Sequence, residues 1–196
     1  MAHPKIKLRA GDALVVVDIQ YDFLSGGALA VPEADEVIGP LNRCIAVFSG
    51  HGLPVFATRD WHPADHCSFS ARGGPWPPHC IAGTSGAAFS QALILPEDTV
   101  IISKATEADT DAYSGFDGTQ LHSALREQGV KRLFIGGLAT DYCVKQTVLD
   151  ACKLDYETHV LVDAVRAVNV RPDDEDNAFQ TMRDAGAIPA TTAEIL

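Results

Sequence analysis

The chain has 196 residues, with 15 Lys and Arg against 26 Asp and Glu, for a formal net charge of −11. Hydrophobic residues make up 46% and charged residues 21%, globular proportions that exclude wholesale disorder and suit one domain. So acidic a surface repels phosphate backbones and anionic lipid, which excludes nucleic acid and membrane surfaces as natural partners.

The opening segment, MAHPKIKLRAGD, carries no apolar run of signal-peptide type. Residues 13–18 (ALVVVD) then predict a buried strand, because the run is apolar without alternation. Residues 54–59 (PVFATR), 99–103 (TVIIS), 132–136 (RLFIG) and 158–162 (THVLV) predict four more, and 187–190 a short last one. Amphipathic stretches at 34–50, 120–128, 141–152 and 174–184 predict helices, with Gly129 and Gly186 placed as C-caps. This βαβ rhythm predicts a single α/β domain over 1–196, a doubly wound parallel sheet with helices on both faces. All these runs are too short to span a bilayer. Five cysteines, an odd count, argue against a disulfide framework and for a reducing, cytoplasmic location.

Residues 60–89 break the rhythm. So long a loop in a compact domain is functional or disordered, and its two Trp and three His speak against disorder. Asp60 and His62, two apart on extended chain, point to one side. With His79 they make three protein ligands for a metal with open positions, and His66 stays open as a fourth. A structural zinc site using Cys67 and Cys80 is a further reading, although the spacing is not the CxxC form.

Parallel strands deliver their C-terminal ends to one edge. Asp18, Asp60, Lys104 and the run Gly136-Gly137-Leu138-Ala139-Thr140-Asp141-Tyr142-Cys143 all fall at such ends. With Thr140 as N-cap, Cys143 falls in the first helical turn, where the dipole favours thiolate and free N–H groups can hold an oxyanion. A buried core cysteine is the other reading. Lys104 either snorkels to water or is buried beside a carboxylate, and Asp18 either caps a turn or joins that lysine. A buried Asp–Lys–Cys cluster would let the aspartate move the thiol proton. Phe23, Trp76 and Tyr113 either fill the core or wall a pocket for a flat ring. The GxGxxG fingerprint is missing, so NAD is not an expected cofactor.

Six segments occur in order: Asp18-Ile-Gln20-Tyr-Asp22-Phe23, Asp60-Trp-His62-Pro, Trp76-Pro-Pro-His79-Cys80, Lys104, Tyr113-Ser-Gly-Phe116 and Gly137-Leu-Ala139-Thr-Asp-Tyr-Cys143. Together they resemble the nicotinamidase/pyrazinamidase family within the isochorismatase-like cysteine hydrolases. The likeness runs from about the first strand to the last. It implies a six-stranded parallel sheet and hydrolysis of nicotinamide to nicotinate and ammonia, with pyrazinamide treated likewise. It implies Cys143 as nucleophile, Asp18 as general base and then acid, and Lys104 as third member of the triad. It also implies an oxyanion hole from the backbone N–H groups of Ala139 and Cys143, beside a cis peptide before Ala139. By the same resemblance Asp60, His62 and His79 hold one divalent metal, zinc first with iron or manganese as alternatives, and Phe23, Trp76 and Tyr113 hold the pyridine ring. The short loop between Phe69 and Trp76 implies an open pocket mouth. A homo-oligomer is left open. The competing reading is another amidase of this fold, acting on a carbamoyl, ureido or maleamate-type substrate.

Overall fold

The computed structural model describes residues 5–195, so residues 1–4 and 196 of the expected 1–196 domain lie outside the described residues. Six strands, β1 (Asp12–Val17), β2 (Val55–Asp60), β3 (Val100–Lys104), β4 (Arg132–Leu138), β5 (Glu157–Arg166) and β6 (Ile188–Ala190), form one sheet. The order is β3-β2-β1-β4-β5-β6, and every pairing is parallel. The predicted runs each lie within about a residue of these strands, except that β4 and β5 continue two and four residues past their predicted ends.

Alternate side chains of β1 serve opposite faces, as strand geometry dictates. Leu14 and Val16 pack with Leu41, Ile45 and Phe48 of α1 (Ile38–Gly50). Ala13, Val15 and Val17 pack on the other face with Leu121 and Leu125 of α2 (Leu121–Glu127), Val148 of α3 (Lys145–Lys153) and Met182 of α4 (Asp174–Asp184). All six β1 residues are buried. Two covered faces explain the continuous apolar runs, and each large side chain so buried stabilises the fold by about 1.5–3 kcal/mol.

The predicted helix at 34–50 divides into a 3-10 turn (Ala34–Val37) and α1. Gln128 and Ala185 are the C-caps, and Gly129 and Gly186 directly follow them with left-handed φ angles of 68° and 99°. The chain builds β1, β2 and β3 outward in one direction, then returns to place β4 against the other side of β1. That reversal opens a crevice at the C-terminal ends of β1 and β4, where sheets of this kind carry their sites.

Candidate active site

Four strand ends meet at this crevice. Asp18 directly follows β1 and adopts a left-handed φ of 52°. Asp60 and Lys104 are the last residues of β2 and β3 and lie opposite one another in register. The chain beyond β4 passes through a cis peptide between Leu138 and Ala139 into a π-helical turn (Thr140–Val144) that carries Cys143, then into α3. The Ala139 carbonyl accepts from the amides of Tyr142 and Val144, both at 3.1 Å. The N-cap position is Ala139, not Thr140, and the Thr140 hydroxyl is buried without a hydrogen-bond partner among the described residues. The wider π turn displaces Thr140 from the geometry in which a threonine caps a helix.

Close strand approach shapes this edge. Gly137 has φ 129°, and any Cβ there would overlap the backbone of Val17 on β1. Only glycine permits that contact. The π turn is tied down by Asp141, whose carboxylate accepts from the amides of Val168 and Asn169 beyond β5, both at 2.9 Å.

Lys104 occupies the centre. Its side chain is fully buried, so it does not snorkel. Nζ donates to Asp60 Oδ1, lies 3.0 Å from Asp18 Oδ2, and reaches Cys143 Sγ at 3.4 Å. Asp18 Oδ1 accepts from Thr58 Oγ1 at 2.7 Å. Asp18 Oδ2 is buried and, apart from its ion pair with Lys104, has no hydrogen-bond partner among the described residues. It therefore keeps a lone pair to receive a proton.

Burial pushes the Asp18 carboxyl up, and the Asp60 charge adds to this while Lys104 opposes it. For Asp60 burial also works upward, but Lys104 and His62 outweigh it and hold the carboxyl well below the usual carboxylate range. Lys104 loses solvation, yet its two carboxylate partners hold it charged, well above the ordinary lysine range. The Cys143 thiol is pushed well up by burial, with Asp18 and Asp60 adding to this and Lys104 opposing it. Burial and the two anions thus work against the thiolate that a helix end favours, and Lys104 works for it.

A second cluster adjoins the first. Ligand atoms of Asp60, His62 and His79 all lie within 4.8 Å of one another, and all three residues are buried. Nδ1 of His62 meets the Ala105 carbonyl at 3.2 Å, and Nδ1 of His79 meets the Pro77 carbonyl at 2.8 Å. Carbonyls only accept, so both Nδ1 atoms carry protons and both Nε2 atoms keep lone pairs, the tautomer that metal-binding histidines use. Burial holds the His79 ring toward its neutral form. His62 Nε2, 3.7 Å from Asp60 Oδ2, is buried without a hydrogen-bond partner among the described residues. These donors fit a divalent cation.

His66 is placed differently. Its Nε2 meets the Thr110 carbonyl at 3.1 Å, and Nδ1 faces Ser68 Oγ at 2.8 Å and the Ser68 amide at 3.3 Å. With Nε2 donating and Nδ1 accepting, neither nitrogen is left for a metal. The ring packs beside His62 instead, centroids 4.2 Å apart. Cys67 and Cys80 belong to neither group of convergent ligand atoms found among the described residues.

Phe23, Trp76, His79, Tyr113, Ala139, Tyr142 and Cys143 line a small, largely apolar cavity, with Asp60 at its wall. Trp76 Nε1 donates to Tyr113 Oη at 3.0 Å, joining the two loops across the cavity. A parallel bridge between Phe69 and Trp76 folds the short loop back on itself. Tyr142 packs edge-on to Trp76 at 5.1 Å.

Several supporting residues carried no role in the sequence reading. The Gln20 amide accepts from the Asp60 N–H at 2.8 Å and donates to the Asp60 carbonyl at 2.7 Å. Asp22 accepts from the Cys80 amide at 2.7 Å, anchoring the His79 loop. Thr58 had a visible signal, a hydroxyl inside a buried strand, and Tyr142 lay next to the candidate nucleophile.

The doubly wound parallel sheet and its cysteine–lysine–carboxylate cluster define the class as α/β proteins with chemistry at a strand-order reversal. Residues 12–194 match the isochorismatase domain. The chain belongs to the isochorismatase family. It is 39% identical to a nicotinamidase of Escherichia coli (strain K12), covering 93% of this chain and 95% of that protein. It is 38% identical to a nicotinamidase/pyrazinamidase of Mycobacterium tuberculosis, covering 88% and 95%. Among solved structures, a pyrazinamidase of Pyrococcus horikoshii in complex with zinc superposes with a TM-score of 0.89 at 51% identity, over 92% of this chain and 99% of that one. An L. infantum protein in complex with nicotinate gives 0.90 at 32% identity, over 98% of each.

Proposed function

We propose that this chain is a metal-dependent amidohydrolase that converts nicotinamide to nicotinate and ammonia, and pyrazinamide to pyrazinoate. The observation that carries this reading is the opening of Cys143, Asp60 and His79 onto one aromatic-walled cavity. A neutral flat ring suits such a cavity, with its carboxamide toward the thiol.

Asp18 takes the Cys143 proton, and the sulfur attacks the carboxamide carbon. The N–H groups of Ala139 and Cys143 receive the developing oxyanion. Protonated Asp18 gives its proton to the amide nitrogen, the C–N bond breaks, and ammonia leaves a thioester on Cys143. Asp18 next takes a proton from water, whose oxygen attacks the thioester carbon. The C–S bond then breaks, the proton returns to sulfur and the acid departs. Lys104 keeps Asp18 and Asp60 fixed throughout and offsets negative charge on sulfur. Phe23, Trp76 and Tyr113 hold the ring.

Asp60, His62 and His79 would hold one divalent ion, which we take to be zinc, although iron and manganese suit the same donors. Such an ion, when bound, supplies a Lewis acid for a ring-nitrogen lone pair and so fixes the ring's orientation. This set favours the heteroaromatic carboxamide over carbamoyl or ureido substrates, which offer no ring nitrogen. A free nucleophilic thiol requires reducing surroundings, so we place the enzyme in the cytoplasm. The chain has no helix, among the described residues, long and apolar enough to cross a membrane.

The test is ammonia release from nicotinamide, with and without chelator. Chelation should abolish most turnover and zinc should restore it. Cys143→Ala should lower kcat at least about a thousandfold while bound metal stays at the wild-type level. Full activity in that variant would sink the mechanism. His62→Ala should lose metal and raise KM.

A further inference from the structure

This inference rests on the reading of Asp60, His62 and His79 as a metal site. Asp60 divides its two carboxylate oxygens: Oδ1 accepts from Lys104 Nζ, while Oδ2 faces His62 Nε2 at 3.7 Å. Lys104 and a bound cation thus draw on one carboxylate from opposite sides. Both side chains are buried, so water screens little of the repulsion between the two positive charges. Lys104 can shift its weight only toward Asp18 Oδ2, 3.0 Å away, since its remaining contacts, the Ala112 carbonyl and Cys143 Sγ, are both at 3.4 Å. The backbone of Asp60 does not depend on the Lys104 side chain, because the Gln20 amide bonds both its N–H and its carbonyl.

We propose that Lys104 is a positioning residue for the metal ligand Asp60: it restricts Asp60 to one metal-facing oxygen and lowers the site's affinity for divalent cations. Metal occupancy and the Lys104–Asp60 bond therefore oppose each other, and the coupling is reciprocal. The cysteine cluster and the metal cluster form one charge system joined through Asp60.

Full-length protein loaded with zinc is dialysed against graded concentrations of a chelator, and the zinc retained is measured by atomic emission. Lys104→Met should retain zinc against on the order of tenfold more chelator than wild type, as expected for removal of one buried cation close to the ligand. Asp18→Asn should shift the opposite way, several-fold weaker, because Lys104 then rests on Asp60 alone. A merely structural role would weaken both variants. Equal or weaker retention by Lys104→Met with a native near-ultraviolet spectrum overturns the proposal. Should that variant fail to fold, unchanged or tighter zinc in Asp18→Asn overturns it. Wild type that retains no zinc at any chelator concentration removes the metal reading, and the coupling falls with it. Retention by wild type that neither variant changes refutes the coupling alone.

Discussion

Thr58 shows how a single residue reaches chemistry that it does not touch. Its hydroxyl donates to Asp18 Oδ1 at 2.7 Å and leaves Oδ2 to Lys104. Without that bond the carboxylate can rotate and offer the wrong oxygen. Thr58→Val preserves the shape of the side chain and removes only the donor. It should lower kcat by about tenfold or more, the scale of a hydrogen bond to a charged group, with KM within about twofold because no ring contact changes. Steady-state kinetics separate the two; a rise in KM alone would mean that Thr58 acts on binding. The type of each principal residue was legible in the sequence, as the positions of Asp18, Asp60, Lys104 and Cys143 at strand ends show. Their protonation was not. Burial beside two carboxylates pushes the Cys143 thiol up, and no local pattern of residues encodes that burial.

At the scale of elements, the turn after β4 governs the site. Gly137 lets β4 lie against Val17 of β1, and the π turn then lifts Cys143 toward Lys104. Gly137→Ala meets both a backbone overlap and a φ of 129° that side chains rarely adopt. The loss of stability should be about 3 kcal/mol or more, read as a lower denaturant midpoint; a midpoint matching wild type would show that the strands separate at no cost. The sequence predicts this helix by period, and α3 does follow. The pattern of residues cannot show that its first turn is π rather than α, because one extra residue per turn is set by contacts from Asp141 to the segment after β5. That is why Thr140 reads as a cap and is not one.

The whole molecule separates stability from chemistry by placing them at opposite ends of the sheet. Where β1 and β4 begin, Asp12 Oδ1 accepts from Arg132 Nε at 2.8 Å, and Arg132 Nη2 also reaches the Lys7 carbonyl at 2.9 Å. Both side chains are buried. Asp12→Ala takes the principal anionic partner from a buried guanidinium, leaving it Glu157 at 3.6 Å and the Lys7 carbonyl, and should cost about 3 kcal/mol. The prediction is a marked fall in Tm with kcat/KM of the folded protein unchanged, since the cluster of Asp18, Lys104 and Cys143 lies a full strand length away. A parallel loss of kcat/KM at temperatures well below Tm would contradict this separation.

Composition and periodicity alone determine that this molecule is a parallel α/β sheet covered on both faces, since strands buried on both sides must be apolar throughout and helices beside them must be apolar along one stripe. The order of motifs also places the reactive residue types at one edge. Tertiary structure decides the rest. Lys104 could snorkel or be buried, and the approach of Asp18 and Asp60 from two other strands settles it. His66 has the same chemistry as His62 and His79, but Thr110 and Ser68 engage both its nitrogens. Asp60 serves two clusters because β2 lies between β1 and β3. Each outcome turns on which lone pair or proton a neighbour already holds. For Lys104 and for the Thr110 bond that engages His66, that neighbour lies some 40 residues or more away along the chain.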